Sequence, residues 1–78
     1  MAEQTITSDP DIMMGKPVVA GTRITVELIL RKLAERATEA DLLAAYPQLR
    51  PEDIQAAILF AADSLAHQEH LVINGAVA

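Results

Sequence analysis

Three segments of this 78-residue chain begin with residues that favour helix starts, and they limit the fold more than any other feature. Thr25 and Thr38 precede the first two segments, and Pro51 opens the third. A threonine side chain at the N-cap accepts a hydrogen bond from the first turn, and proline suits the first helical position. Apolar residues recur at helical spacing behind each start. The sequence therefore predicts a mainly α fold built on three helices.

The third helix and the short connection before it, residues 46–50, are typical of a helix-turn-helix. Arg50 stands at its N-cap without a side-chain oxygen, which predicts a loss of about 1 kcal/mol relative to a serine or threonine. Periodicity predicts a buried stripe along this helix. The stripe comprises Ile54, Ile58, Ala61 and Leu65.

An N-terminal arm precedes the helices. Residues 18–20 are short, β-branched and bounded by turn formers, and residues 5–7 are a candidate companion strand. Two such strands are only marginally stable unless another element covers them. We predict a three-helix, helix-turn-helix-like bundle with a short N-terminal β or extended arm, forming one domain over residues 1–70. Residues 71–78 contain strand-like side chains with no evident pairing partner, so we expect a flexible C-terminal tail.

The segment GKPVVAGTRITV, residues 15–26, has glycine, proline and cationic residues together. A phosphate-binding loop is unsupported, because Pro17 follows the lysine where serine or threonine is needed and removes a backbone donor. Gly15 and Gly21 are better explained by backbone angles that other residues reach only with strain. Arg23 has two open interpretations. It pairs within its own subunit, with Asp9, Asp11 or a helix C-terminus, or it contacts a partner's carboxylates or a phosphate.

The charge is distributed unevenly along the chain. The net charge of −5 argues against a free-standing nucleic-acid-binding protein, because Lys and Arg supply most of that affinity. From position 51 onward there are four acidic residues and no Lys or Arg. The candidates for contact with a partner or nucleic acid are therefore Lys16, Arg23, Arg31, Lys32, Arg36 and Arg50.

Some apolar residues fall outside the predicted core stripes. Leu59 and Phe60 point away from the stripe of the third helix, and Leu28 lies opposite the stripe of the first. In a chain of this size, a single hydrophobic core supplies only about 3–5 kcal/mol of folding stability. We therefore expect these three residues to form an interface, in a homodimer or with another protein.

Catalytic, metal-binding and membrane classes find little support. The chain has no cysteine, and no segment approaches the ~18 apolar residues of a membrane span. Its N-terminus lacks the features of a signal peptide, so we expect a cytoplasmic protein. His67 and His70 are better explained as solvent-facing residues than as metal ligands. We predict a non-enzyme without a metal or cofactor.

Two motifs give the chain a family resemblance. GKPVVAGTRITVELIL, followed by YPQLRPEDIQAAILFAAD, resembles the family called domain of unknown function 433 over about residues 6–66. The motif positions are Gly15, Pro17, Gly21 and Thr22.

The resemblance implies a homeodomain-like helix-turn-helix and a VapB-like antitoxin that binds and silences a PIN-like ribonuclease toxin, with a further role at its own promoter DNA. The alternative is a stand-alone helix-turn-helix regulator of transcription. The chain also departs from the family pattern. Arg36 stands where members usually have glycine, so the left-handed end of the first helix must be strained or replaced. Met14 stands where a second glycine is common, and Arg50 replaces a threonine cap.

Overall fold

The computed structural model describes residues 5–66 and the backbone of two further strands. Its first part contains β1 (Ile6–Thr7), a short 3-10 turn (Met13–Gly15) and β2 (Val18–Val19). Three helices follow: α1 (Val26–Ala34), α2 (Glu39–Ala45) and α3 (Pro51–Ala66). The later strands are β3 (Val72–Ile73) and β4 (Ala76–Val77). The prediction of a mainly α, three-helix fold with a small N-terminal β arm is confirmed.

The N-terminal arm is a two-stranded antiparallel sheet. Ile6 pairs with Val19 and Thr7 with Val18, so the predicted companion strand is present. Both valines are buried, and β1 also packs against α3. The carbonyl of Pro17 accepts a hydrogen bond from the Val26 N–H at 2.9 Å, which ties the arm to the start of α1.

The first two helices start at the predicted threonines. Thr25 Oγ1 accepts a hydrogen bond from the Leu28 N–H at 3.0 Å. Thr38 and Asp41 form a capping box, with distances of 3.1 Å and 2.8 Å between side-chain oxygen and backbone nitrogen. The hydrogen bond from the Thr38 backbone lowers the pKa of Asp41. Each cap satisfies backbone donors that a helix start would otherwise leave open.

The core is aliphatic and lies where the three helices and the sheet meet. Ile24 and Leu49, which precede α1 and α3, are buried in the same cluster as Ile29 and Ile54, as expected for hydrophobic staples. The buried apolar cluster comprises Val19, Ile24, Val26, Ile29, Leu42, Leu49, Ile54 and Ala57.

Helix α1 ends in a left-handed cap although no glycine is present. Arg36 has φ 74°, its N–H donates to the Leu33 carbonyl at 3.0 Å, and the Ala37 N–H donates to the Lys32 carbonyl at 2.9 Å. This is the Schellman pattern. A non-glycine residue in this region costs about 1–2 kcal/mol. The sequence left two possibilities for the end of α1, a strained left-handed cap or a different ending, and the structure has the strained cap. Met14, with φ 59°, is in the same left-handed region.

The buried face of α3 differs from the predicted stripe. Asp53, Ile54 and Ala57 are buried, whereas Ile58 and Leu65 are each 47% exposed, so their prediction as core residues is wrong. The core cluster takes Ile54 and Ala57 from α3, so the tight packing of this helix lies in its first half.

Leu28 also differs from its prediction. It is half-buried and packs against the core cluster, so the expectation that it points away from the core is wrong. Helix α1 contacts both α2 and α3, and the stripe of a single helix does not show a second contact of this kind.

Helix α3 has a cap that the sequence analysis missed. The Asp53 carboxylate, 2% exposed, accepts hydrogen bonds from the Arg50 N–H at 2.9 Å and from Arg50 Nη2 at 3.2 Å. This is the reciprocal half of a capping box, supplied from the third position of the helix. The predicted loss at Arg50 is therefore offset by Asp53.

The strand-like residues near the C-terminus pair with each other. Val72 lies opposite Val77 and Ile73 opposite Ala76 in an antiparallel register. The expectation that they lack a pairing partner is wrong. His67 and His70 lie outside the residues that the structure describes.

Candidate functional site

A tight turn between β2 and α1 presents Arg23 to solvent. Gly21 has φ +79°, and the Val19 N–H donates to the Ile24 carbonyl at 2.9 Å across the turn. Thr22 Oγ1 donates to the Val19 carbonyl at 2.8 Å and accepts from the Ile24 N–H at 3.0 Å. Arg23 is exposed on this hydrogen-bonded turn. The motif residues Gly21 and Thr22 thus stabilise the backbone turn that carries Arg23.

The acidic side chains expected as intrasubunit partners of Arg23 form no ion pair with it in the described part of the chain. Asp9 Oδ1 accepts a hydrogen bond from the Asp11 N–H at 2.8 Å and so closes its own turn. Within residues 5–66, no carboxylate lies within ion-pair distance of Arg23. The guanidinium is therefore available on the described surface.

Four of the six predicted basic residues are held by acidic neighbours. Lys16 and Arg31 both contact Glu27, at 3.1 Å each, and form a triad. The hydrogen bond from Lys16, followed by that from Arg31, lowers the pKa of Glu27. The other two ion pairs are Lys32 with Glu35 at 3.8 Å and Arg50 with Asp53 at 3.2 Å.

The remaining basic residue is Arg36, at the left-handed end of α1. It is exposed, and it forms no ion pair within residues 5–66. The structure thus separates the predicted basic set into four paired side chains and two, Arg23 and Arg36, with unengaged guanidinium groups in the described part of the chain.

An open apolar groove of about 580 Å³ runs between α1 and α3. Leu30 and Ala34 line it on α1, and Phe60, Ala61 and Leu65 line it on α3. The triad of Lys16, Glu27 and Arg31 forms its charged rim. We call this surface the α1/α3 groove.

The predicted interface residues do not share one surface. Phe60 lines the α1/α3 groove, whereas its neighbour Leu59 lies on the other side of α3 beside Glu39 and Glu52. Leu28 belongs to the periphery of the core. Helical spacing explains the separation, because adjacent residues are about 100° apart around the axis.

The groove residues of α1 and the capping role of Asp53 were not predicted from the sequence. Leu30 is half-buried, and it both packs against the core cluster and lines the groove. The spacing of Arg50 and Asp53 could have indicated this cap. A carboxylate three residues after the N-cap can accept a hydrogen bond from the backbone N–H of the N-cap residue.

Among residues 5–66, no group of three or more His, Asp or Glu side chains could hold a metal ion. The described helices include none with the length and apolar character needed to cross a bilayer.

Comparisons with known proteins place this geometry in context. The model of a family described as "Protein of unknown function (DUF433)" matches residues 6–61. "Uncharacterized protein y4eO" of Sinorhizobium fredii is 38% identical over 60 residues, which cover 77% of this chain and 27% of that protein. A crystal structure of a DUF433 member from Anabaena variabilis has a TM-score of 0.75 at 29% identity, covering 80% of this chain and 61% of that one. This chain thus spans less than two thirds of the length of either relative.

Proposed function

Given that the chain belongs to the DUF433 family of proteins of unknown function, we propose that it is an antitoxin that binds and neutralises a PIN-like ribonuclease toxin. The observation that supports the proposal is the exposed Arg23 guanidinium on its rigid turn. The protein has no catalytic role in this proposal. It acts in the cytoplasm, where the RNA targets of such a nuclease are found.

The chemistry of a guanidinium suits this role. A PIN-like nuclease gathers carboxylates around a divalent ion, and arginine offers a planar fork that binds carboxylates in pairs. An inserted guanidinium would neutralise the acidic cluster and compete with the metal. Because the turn already holds Arg23 in place, little backbone freedom is lost on binding. Arg36 supplies a second unengaged cation.

Reading of promoter DNA by α3 is less favoured than protein binding. The order α2, turn, α3 is that of a helix-turn-helix, whose second helix enters the major groove. Residues 51–66 contain no Lys or Arg, and the start of α3 exposes Glu52 beside Glu39. These carboxylates would repel phosphates. If the antitoxin also represses its own promoter, we propose that the basic residues between positions 16 and 50 make the contact.

Inhibition of a co-expressed nuclease tests the proposal. The nuclease encoded next to this chain should copurify with it and lose RNA cleavage. Arg23→Ala should raise the Kd of the complex roughly thirtyfold, the equivalent of about 2 kcal/mol for an interfacial charged pair that loses one partner. Its stability in urea should stay within about 0.5 kcal/mol of the wild type.

Two further variants serve as controls. Arg31→Ala removes a guanidinium that Glu27 already holds, and it should weaken binding much less. Arg36→Gly should weaken binding and also stabilise the fold by up to about 1 kcal/mol, because it relieves the left-handed strain. Full inhibition by the Arg23→Ala variant would contradict the proposed role of the turn. A salt-sensitive shift of promoter DNA by the protein alone, without nuclease binding, would favour the regulator instead.

A further inference from the structure

One wall of the α1/α3 groove is apolar. The described residues that line it on α3 are Phe60, Ala61, Ser64 and Leu65, and none of them is charged. Phe60 is 36% exposed and Leu65 is 47% exposed, so solvent reaches this wall. The groove volume of about 580 Å³ lies within the range of about 300–1,000 Å³ that is typical of small-molecule sites.

The charged residues of the groove lie on its opposite side. Lys16, Glu27 and Arg31 line the groove together with Leu30 and Ala34 of α1. Lys16 Nζ and Arg31 Nη2 lie 3.1 Å from Oε1 and Oε2 of Glu27, respectively. Two cations and one carboxylate give this edge a net charge of +1. A mostly apolar cleft with a few convergent polar groups is the usual form of a ligand site.

Both cations retain hydrogen-bond donors after they pair with Glu27. An ammonium has three N–H donors and a guanidinium has five. Glu27 accepts from Nζ of Lys16 and from Nε and Nη2 of Arg31. The other N–H groups of these two side chains can bind a second carboxylate, and such charge-assisted hydrogen bonds are stronger than neutral ones.

We propose that the α1/α3 groove binds a small amphipathic anion, a free aliphatic carboxylate of the fatty-acid type. Its hydrocarbon chain lies along the apolar wall of α3, and its carboxylate accepts hydrogen bonds from Lys16 and Arg31. The net charge of the edge favours a ligand with a negative head group over one with a positive head group. The apolar wall favours a ligand with a hydrocarbon chain over a fully polar anion. This binding does not depend on the proposed antitoxin function.

Titration of the purified chain with decanoate, followed by NMR, tests the inference below the concentration at which decanoate forms micelles. Residues of the groove should show saturable shifts with a Kd of about 1 mM or lower. Octanoate should bind roughly tenfold more weakly, because burial of each CH₂ group changes affinity by up to about fourfold. Decyltrimethylammonium has the same chain with a cationic head group and should bind at least about fivefold more weakly than decanoate.

A first pair of variants tests the apolar wall. Phe60→Glu places a carboxylate in the groove and should weaken decanoate binding at least about tenfold, because it removes apolar contact and repels the ligand. Leu59→Glu is the matched control, since Leu59 lies on the other side of α3 and does not line the groove. It should leave the Kd unchanged. Circular dichroism checks that both variants fold.

Further variants test the charged edge. Lys16→Ala combined with Arg31→Ala should weaken decanoate binding roughly fivefold, a modest loss because both side chains are exposed. Arg36→Gly removes a cation that does not line the groove and should have no effect. Glu27→Gln should tighten binding, because it removes the carboxylate that competes with the ligand and raises the net charge of the edge to +2.

Several results would overturn the inference. A wild-type chain without saturable decanoate binding would show that the groove has another occupant, such as a second copy or a protein partner. Equal affinity for decanoate and decyltrimethylammonium would remove the charged edge from recognition. Equal losses in Phe60→Glu and Leu59→Glu would reject the groove as the site. Binding to phosphatidylglycerol vesicles without binding of free decanoate would assign the groove to a membrane surface instead.

Discussion

The second half of α3 is richer in apolar residues than the first, yet it is the more exposed of the two. In residues 51–57, Ile54 and Ala57 are buried, at 2% and 0% exposure. In residues 58–66, Leu59 and Leu65 are 60% and 47% exposed. Apolar character alone therefore does not decide which part of a helix enters the core of a small domain. Coverage by neighbouring elements decides it.

The packing around α3 accounts for the difference. The core cluster includes Ile54 and Ala57 of α3 and no residue after position 57. Along residues 60–65, α1 and α3 form the two sides of the open α1/α3 groove, so the apolar side chains there are not covered by the described chain.

The largest expected effect tests this contrast between the two halves directly. Ile54→Ala should lower the free energy of unfolding by about 2–5 kcal/mol, because it leaves a cavity in the core. Leu59→Ala removes a similar side chain from the exposed half and should change stability by no more than about 0.5 kcal/mol in the monomer. Urea unfolding of both variants at one concentration measures the difference. Similar losses for the two would break the contrast.

A smaller effect is expected at the start of the buried half. Asp53→Ala should cost about 1–2 kcal/mol, because it removes the acceptor for the Arg50 N–H at the N-terminus of α3. Glu52→Ala is the matched control, one residue away and exposed, and should cost about 0.5 kcal/mol or less. Thermal unfolding followed by circular dichroism resolves the two. An Asp53→Ala variant as stable as the Glu52→Ala variant would show that the buried half does not depend on this cap.

The smallest effect concerns the charged rim beside the exposed half. The pKa of Glu27 is lowered in the folded protein, so its contribution to stability is present above the ordinary value of 4.5 and is lost as the pH falls through the folded pKa. Glu27→Gln should therefore reduce stability slightly at neutral pH, and the difference from the wild type should vanish once the pH has fallen through the folded pKa of Glu27. Urea unfolding across this range provides the measurement. Added salt should also reduce the difference in stability between the variant and the wild type at neutral pH, since the triad is exposed. A difference that grows on acidification would contradict a stabilising role for the Glu27 carboxylate.

Local signals predicted much of the fold correctly. The threonine caps at 25 and 38 and the proline at 51 depend on residues close in sequence, and all three helices start where they predict. The pairing of residues 6–7 with 18–19 followed from β-branched composition and the turn formers between them.

The errors arose where the outcome depends on distant elements. Periodicity shows which residues share a stripe of α3, but the burial of Ile58 depends on which elements pack beside it. The availability of Arg23 depends on whether Asp9 turns toward it or toward its own loop. The α1/α3 groove requires two helices in known relative positions, so sequence periodicity could not reveal it.

The turn glycine at position 21 has a consequence for how relatives are recognised. A Cβ atom added to Gly21 would meet no atom within 4 Å. Glycine is therefore favoured here by the positive φ of +79° and not by a lack of space for a side chain. Asparagine and aspartate adopt that torsion more readily than other side-chain-bearing residues. A homologue with asparagine at this point would keep the turn and its arginine. Searches that insist on glycine here would miss such divergent members, and the signature is better written as a conformational requirement than as a fixed letter.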